Sequence, residues 1–289
     1  MIVPGLAVNV SQMLGPLPSL LAAPSIWYDA VLVPNRNPGG KESVRNDAPN
    51  GCVSPTGTIC QMTVEIRRGT DRFVDRAQGR RTLHAFSFGS HYDADHVSFG
   101  PMVCHDDHLL AEGQGFDDHP HSDLVIVSWV VSGALRHADT TGGSTELTRG
   151  EVGVLHTGAA VAHSEHASAP QTRFVQVWLT APTRGGETTH DVLPVDAAPG
   201  DGFVEAARPV PGATLWVARV GDGETVTTPS APKVHVFVSR GALLRSSLAE
   251  PLHDGDAFLF TDEGSYELTS GADTELLCWT FDPVDSSAI

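Results

Sequence analysis

Two short runs of this chain carry side chains able to hold a metal ion: His119-Pro-His121 and His163-Ser-Glu165. In each run the two candidate ligands stand at i and i+2, and on a β-strand that spacing puts both on one face. Two such strands lining one barrel would present three imidazoles and one carboxylate to a common centre. Neutral imidazole suits Fe, Zn, Cu, Ni and Mn, and a carboxylate adds a hard oxygen donor. Four protein ligands leave up to two positions of an octahedral ion open for substrate or dioxygen. A lone His-x-His is usually a surface or turn feature. Two pairs some forty residues apart, with strand and glycine-turn signals between them, favour a shared site.

Eleven of the 14 histidines fall between His84 and His166. Outside the two pairs, His84, His91, His96, His105 and His108 read as polar loop or pocket residues. His137, His156 and His166 read as ordinary hydrogen-bonding residues, with partnership to a metal-bound ring as the alternative, since a ligating imidazole needs an acceptor for its other N–H.

The elements that must position these residues are strands. From Met62 onward, short runs rich in Val, Leu, Thr and aromatics alternate with Gly, Pro and Asp turns. LVIVSWVV (124–131), ALRHAD (134–139), FVQVWLTA (174–181), TLWVARV (214–220), KVHVFVSR (233–240) and ELLCWTF (275–281) are the clearest. This pattern predicts an all-β fold of barrel or jelly-roll type. A weak repeat is visible: VVSGALRHAD followed by LTRGEVGVLHTG parallels FVSRGALLRSS followed by LHDGDAFLFTDEG. It predicts two successive jelly-roll barrels, with the Pro-, Gly- and Ala-rich stretch 182–212 as the linker. Residues 1–61 show no sustained period and are rich in Pro, Gly and Asn. They read as a disordered extension, with Met62 as a natural alternative start.

Composition narrows the partners. A formal net charge of −17 over 289 residues argues against a broad phosphate-binding surface, and so against direct nucleic-acid binding. The four cysteines form no C-x-x-C pair and no disulfide framework, so reduced thiols in a cytoplasm are expected. No stretch of eighteen apolar residues predicts a membrane helix.

The motifs also carry a family resemblance. Gly113-x5-His119-x-His121, with Gly133 after the next strand, resembles the first cupin motif. Gly150-Glu-Val, then Thr157-Gly158-x4-His163-Ser-Glu165, resembles the second motif in the form found in pirins. The resemblance spans about 62–285 and is strongest over 84–181. It implies a bicupin with a metal-binding N-terminal cupin at 62–185 and a degenerate, metal-free C-terminal cupin at 205–285, where only His235 and His253 remain. It implies one divalent ion, foremost Fe(II), with Zn, Cu, Mn, Ni or Co as alternatives, held by His119, His121, His163 and Glu165. Two local departures stand out. Ser122 follows His121 where many pirins have Arg, and Ala159–Ala160 replace an Arg-Gly step before the second motif. The glutamate that ordinary cupins carry after the first motif is Val125 here. The implied function is a quercetin 2,3-dioxygenase-like ring cleavage of a flavonol-like substrate, with Glu165 as the catalytic group. The alternative is a non-catalytic, iron- or redox-sensing regulator acting through a protein partner. A monomer is expected.

Overall fold

The computed structural model describes residues 63–284. The expected extension at 1–61 lies outside them, as do Cys52 and Cys60. Strand β1 (Thr63–Arg67) leads through a 3-10 turn at Gly69–Asp71 to β2 (Phe73–Ala77), β3 (Arg80–His84) and β4 (Met102–Leu110). Next come β5 (Gly115–His121), β6 (Leu124–Ser132), β7 (Ala134–Asp139) and β8 (Ser144–Thr148). They are followed by β9 (Glu151–His156), β10 (Val161–Ala167), β11 (Thr172–Thr180) and β12 (Thr189–Pro194). The second half holds β13 (Val204–Val210), β14 (Ala213–Val220), β15 (Thr225–Thr227), β16 (Lys233–Arg240) and β17 (Ala242–Leu243). It closes with β18 (Leu252–His253), β19 (Ala257–Thr261), β20 (Glu267–Thr269) and β21 (Thr274–Phe281). The fold is all-β as expected. Among the described residues there is no α-helix, and no helix long and apolar enough to cross a membrane.

The first half is a jelly roll. A seven-stranded sheet ordered β12-β9-β6-β11-β4-β3-β2 packs on a four-stranded sheet ordered β5-β10-β7-β8. The second half is a six-stranded sheet, β1-β19-β16-β21-β14-β13, with two small pairs, β15-β20 and β17-β18. Two features depart from the sequence reading. Strand β1, assigned there to the first barrel, pairs instead with β19, from Thr63 opposite Thr261 to Arg67 opposite Ala257. Its Val64 and Ile66 pack on the second barrel's core. The segment 182–212, read as a linker, carries β12, which pairs with β9, and β13, which pairs with β14.

The two large sheets pack back to back. Val125, Val127, Trp129 and Val131 of β6 and Val175, Val177 and Leu179 of β11 share one core with Val217, Phe237, Leu259, Leu277 and Trp279 from the second half. The intervening residues of the same strands, among them Ile126, Val130, Phe174 and Trp178, face the first barrel's own interior. That double burial explains why LVIVSWVV is a continuous apolar run instead of an alternating one.

The internal repeat has a physical counterpart. Gly133 turns between β6 and β7 at φ 76°, and a Cβ there would meet the Thr172 backbone at 2.7 Å. Gly241 turns between β16 and β17 at φ 91°, with the Thr274 backbone equally close. In both, the threonine hydroxyl bonds the amide and the carbonyl of the next alanine, Ala134 or Ala242. Only glycine fits a left-handed turn pressed this closely.

Candidate metal centre

The polar site arises from a break in an apolar interior. Leu124, Ile126, Leu155, Val161 and Trp178 form one apolar layer, and Leu110, Val130, Leu135, Leu147, Ala167 and Phe174 form another. Between them the same strands place Ser128, His163, Glu165 and Gln176, all buried. Strand β10 runs between β5 and β7, and its inward residues are Val161, His163, Glu165 and Ala167. Pairing sets His163 opposite His119 on β5 and opposite Asp139 on β7, while Val161 faces His121 and Glu165 faces His137. Residues directly opposite share a face, so one strand gathers ligands from both neighbours.

The ligand atoms of His119, His121 and His163 lie within 4.8 Å of one another. Ring centroids are 4.4 Å apart for His119–His163, 4.9 Å for His119–His121 and 5.1 Å for His121–His163. His119 donates from Nδ1 to the Asp117 carbonyl at 2.7 Å, which leaves Nε2 as a lone pair. The Nε2 atoms of His121 and His163 are buried without a hydrogen-bond partner. Buried polar atoms are rarely left so, and a cation at the centre would satisfy all three rings. Burial, then the neighbouring His119 ring, pushes His121 down to about 4. Burial, then the surrounding imidazoles, pushes His163 down to about 2. Both rings are therefore held neutral, the form that ligates a metal.

Glu165 stands apart from this trio. Its carboxylate groups with His137 and His163, again within 4.8 Å. A register shift between His163 and Glu165 sets it back along the strand. Gly115 permits that shift, because a Cβ there would lie 1.9 Å from the Glu165 carbonyl oxygen. Gln176 donates from Nε2 to both Glu165 oxygens at 2.9 Å and to Ser128 Oγ at 3.1 Å. Trp178 donates to Gln176 Oε1 at 2.9 Å, which fixes the amide's orientation. Burial raises the Glu165 carboxyl to about 7, opposed by the Gln176 hydrogen bond. Trp178 also walls the site, edge-on to His121 at 4.6 Å.

All four expected residues thus line one interior, with three imidazoles in one group and the carboxylate in the adjoining one. The sequence reading did not single out Gln176, Trp178, Ser128, Asp139 or His190. The signal for the first two was present, since Gln176 and Trp178 stand at i and i+2 on β11. Of the other histidines, His84 pairs with Asp106 at 2.9 Å and His166 meets Asp117 at 3.3 Å. In the second barrel the interior is filled by Val234, Val236, Val238, Phe258, Phe260 and Cys278. His235, one of the two histidines that remain in the second half, points the other way. It is buried between the barrels, with its ring 4.8 Å from that of His105.

Comparison with known proteins agrees with this architecture. The Pirin family model matches residues 66–179. A Mycobacterium tuberculosis protein, provisionally named quercetin 2,3-dioxygenase, is 36% identical over 231 residues, covering 75% of this chain and 94% of its own. The chain belongs to the pirin family. This pirin is also 26% identical over 233 residues to the Escherichia coli K12 protein named quercetin 2,3-dioxygenase, covering 76% of this chain and all of that one (100%). Among solved structures, the Escherichia coli bacterial pirin YhhW in complex with nickel(II) matches with a TM-score of 0.69 at 22% identity, over 77% of this chain and 100% of that one. An Acinetobacter baumannii quercetin 2,3-dioxygenase matches with a TM-score of 0.63 at 20% identity, over 76% and 86%. At these identities the structural matches speak to the fold, a tandem jelly roll.

Proposed function

We propose that this pirin is a metal-dependent dioxygenase that opens the heterocyclic ring of a flavonol such as quercetin. The observation that supports this most is the juxtaposition of unpartnered imidazole nitrogens with a buried carboxylate. His119, His121 and His163 would hold one divalent ion, foremost Fe(II), through nitrogens suited to several transition metals. Glu165 would be the fourth ligand, since each of its oxygens keeps a lone pair beyond the one Gln176 uses. When bound, the ion supplies Lewis acidity and a template for the flavonol oxygens and dioxygen.

The chain's own residues supply the proton chemistry. Glu165 would accept the flavonol hydroxyl proton, as the buried carboxylate beside the three imidazoles. Gln176 spans both carboxylate oxygens and holds the group in one orientation. Ile126, Leu155 and Val161 keep that end of the interior apolar. Ser122 and Ala159–Ala160, exposed beside the strand ends that carry His121 and Val161, are neutral. They favour recognition of the substrate by its rings over recognition by its charge.

Oxygen uptake with quercetin tests the reading. Iron-loaded protein should consume dioxygen, and the metal-free protein and Glu165→Gln should each fall at least about 100-fold, the lower end expected for loss of general-base catalysis. Equal rates in all three would retire the enzyme and leave a metal-holding regulatory protein that acts through a partner.

A further inference from the structure

His163 has a second ring nitrogen to satisfy. Its Nδ1 lies 3.4 Å from Nδ1 of His137, across the β10–β7 pair and away from β5. His137 Nε2 lies 3.2 Å from Asp139 Oδ2. The other Asp139 oxygen accepts from the Thr141 amide at 2.8 Å and from the Thr141 hydroxyl. The His137 and Asp139 side chains are each 2% exposed, so water does not replace these partners.

Two ring nitrogens at hydrogen-bond distance share one proton, with one ring donating and the other accepting. The direction follows from the first ring. If His163 offers Nε2 as a lone pair, its proton must sit on Nδ1. That proton points at His137 Nδ1, which must be a bare acceptor. His137 then carries its own proton on Nε2, where the Asp139 carboxylate accepts it. Every proton in the chain has a place and no polar atom is left over.

We propose that His137 and Asp139 are positioning residues: this carboxylate–imidazole–imidazole chain fixes the tautomer and orientation of His163 and strengthens its donation to the metal. The proposal rests on His163 being a ligand. It also decides between two uses of His137. The ligand atoms of His137, Asp139 and His190 lie within 4.8 Å of one another, a geometry open to a second cation. A cation there would need the His137 Nε2 lone pair, which puts the proton on Nδ1. His163 would then have to accept at Nδ1 and carry its proton on Nε2, where it could not ligate. The two uses exclude each other. The second group is also already partnered, with His190 Nδ1 at 3.2 Å from the Thr145 hydroxyl. The His163 Nε2 atom, by contrast, has no protein partner.

Asp139→Asn tests the chain without changing its shape. The Thr141 donors hold the amide oxygen, so the amide nitrogen faces His137 Nε2 as a donor. That inverts both tautomers and takes the lone pair from His163 Nε2. Asp139→Ala only removes the acceptor. With Co(II) as the probe, measured by chelator competition and by its visible d–d bands, Asp139→Asn should raise Kd about 10- to 100-fold. It should exceed Asp139→Ala and shift the bands, while the melting temperature of the metal-free protein stays near wild type. His190→Ala should bind Co(II) as wild type does. Tight binding with an unshifted spectrum in Asp139→Asn, beside one ion in wild type, would overturn the chain and leave the metal site standing. Wild type that binds no Co(II) would overturn both. A second Co(II) per chain that vanishes in His190→Ala would replace the chain by the second-cation site.

Discussion

Replacing Gln176 by leucine should expose how much of the site's stability rests on one amide. Leucine matches the side chain in bulk but offers no hydrogen bond. Glu165 loses its amide donor on both oxygens, and Trp178 loses its acceptor. Ser128 keeps a hydroxyl free to rotate toward another partner, so its loss is small. A hydrogen bond to a charged group contributes about 1.5–3 kcal/mol, and an unpaired buried donor costs about 1–3 kcal/mol. Glu165 can escape part of its cost by taking up a proton, which its burial already favours. The net expectation is a loss of roughly 3–4 kcal/mol in the metal-free protein. For a domain of this size that corresponds to roughly 10 °C in melting temperature. Urea unfolding followed by intrinsic fluorescence gives the free energy, and the m-value should be unchanged because the folded surface is the same. A change below about 0.5 kcal/mol, the range of an ordinary surface substitution, would refute the reasoning. It would mean that Glu165 is not held by Gln176 in solution.

Three further outcomes follow from the same structure. His163→Ala should lose most of the bound ion by elemental analysis, since it removes the imidazole at the centre of the group; undiminished metal would sink the ligand assignment. Glu275→Leu should cost about 3–5 kcal/mol in urea unfolding, because Glu275 accepts from Trp129 across the barrel interface at 3.0 Å, from Ser239 at 3.0 Å and from Arg219 at 3.4 Å; a neutral result would contradict the buried network. The metal-free protein should lose stability as pH falls from 6.5 towards 4. His108, His121 and His190 are pushed down to about 4, His235 to about 3 and His163 to about 2, all chiefly by burial. Their unfolded counterparts take up protons that the folded rings resist, at about 1.4 kcal/mol per pH unit for each full proton. Glu165, raised to about 7, works the other way, since its contribution grows as pH falls from 7 to its ordinary value. One carboxyl cannot outweigh five rings, and a flat urea midpoint across that range would refute the balance.

Much of the site was legible because its residues repeat at strand spacing. His119 and His121, and His163 and Glu165, announce a shared face from local order alone. The all-β class and the repeat were legible for the same reason, as alternation, turns and the Gly-Ala steps at Gly133 and Gly241 are local signals. What escaped the sequence is cross-strand address. Nothing near Asp139 says that it will face His163, and nothing near Gln176 says that it will span Glu165. The set-back of Glu165 was hidden too, because it depends on a register shift that Gly115 permits on a neighbouring strand. Val64 and Ile66 fit any half-buried edge, so β1 could be recognised as a strand while its partner could not.

The pairing of β1 with β19 has a consequence in time. The strand that opens the described chain cannot find its partner until nearly all the rest has been made. During synthesis it emerges early as an open edge and stays one until the second barrel's last third arrives. Loop-closure entropy grows only with the logarithm of length, so the equilibrium cost is modest. The rate is another matter, because contacts between distant segments slow folding. The described fold is in effect sewn shut by its first strand. The closing stitch joins the leading strand of the metal-site half to the sheet of the other half, so the barrel proposed to carry the metal is tethered to its neighbour at both of its ends.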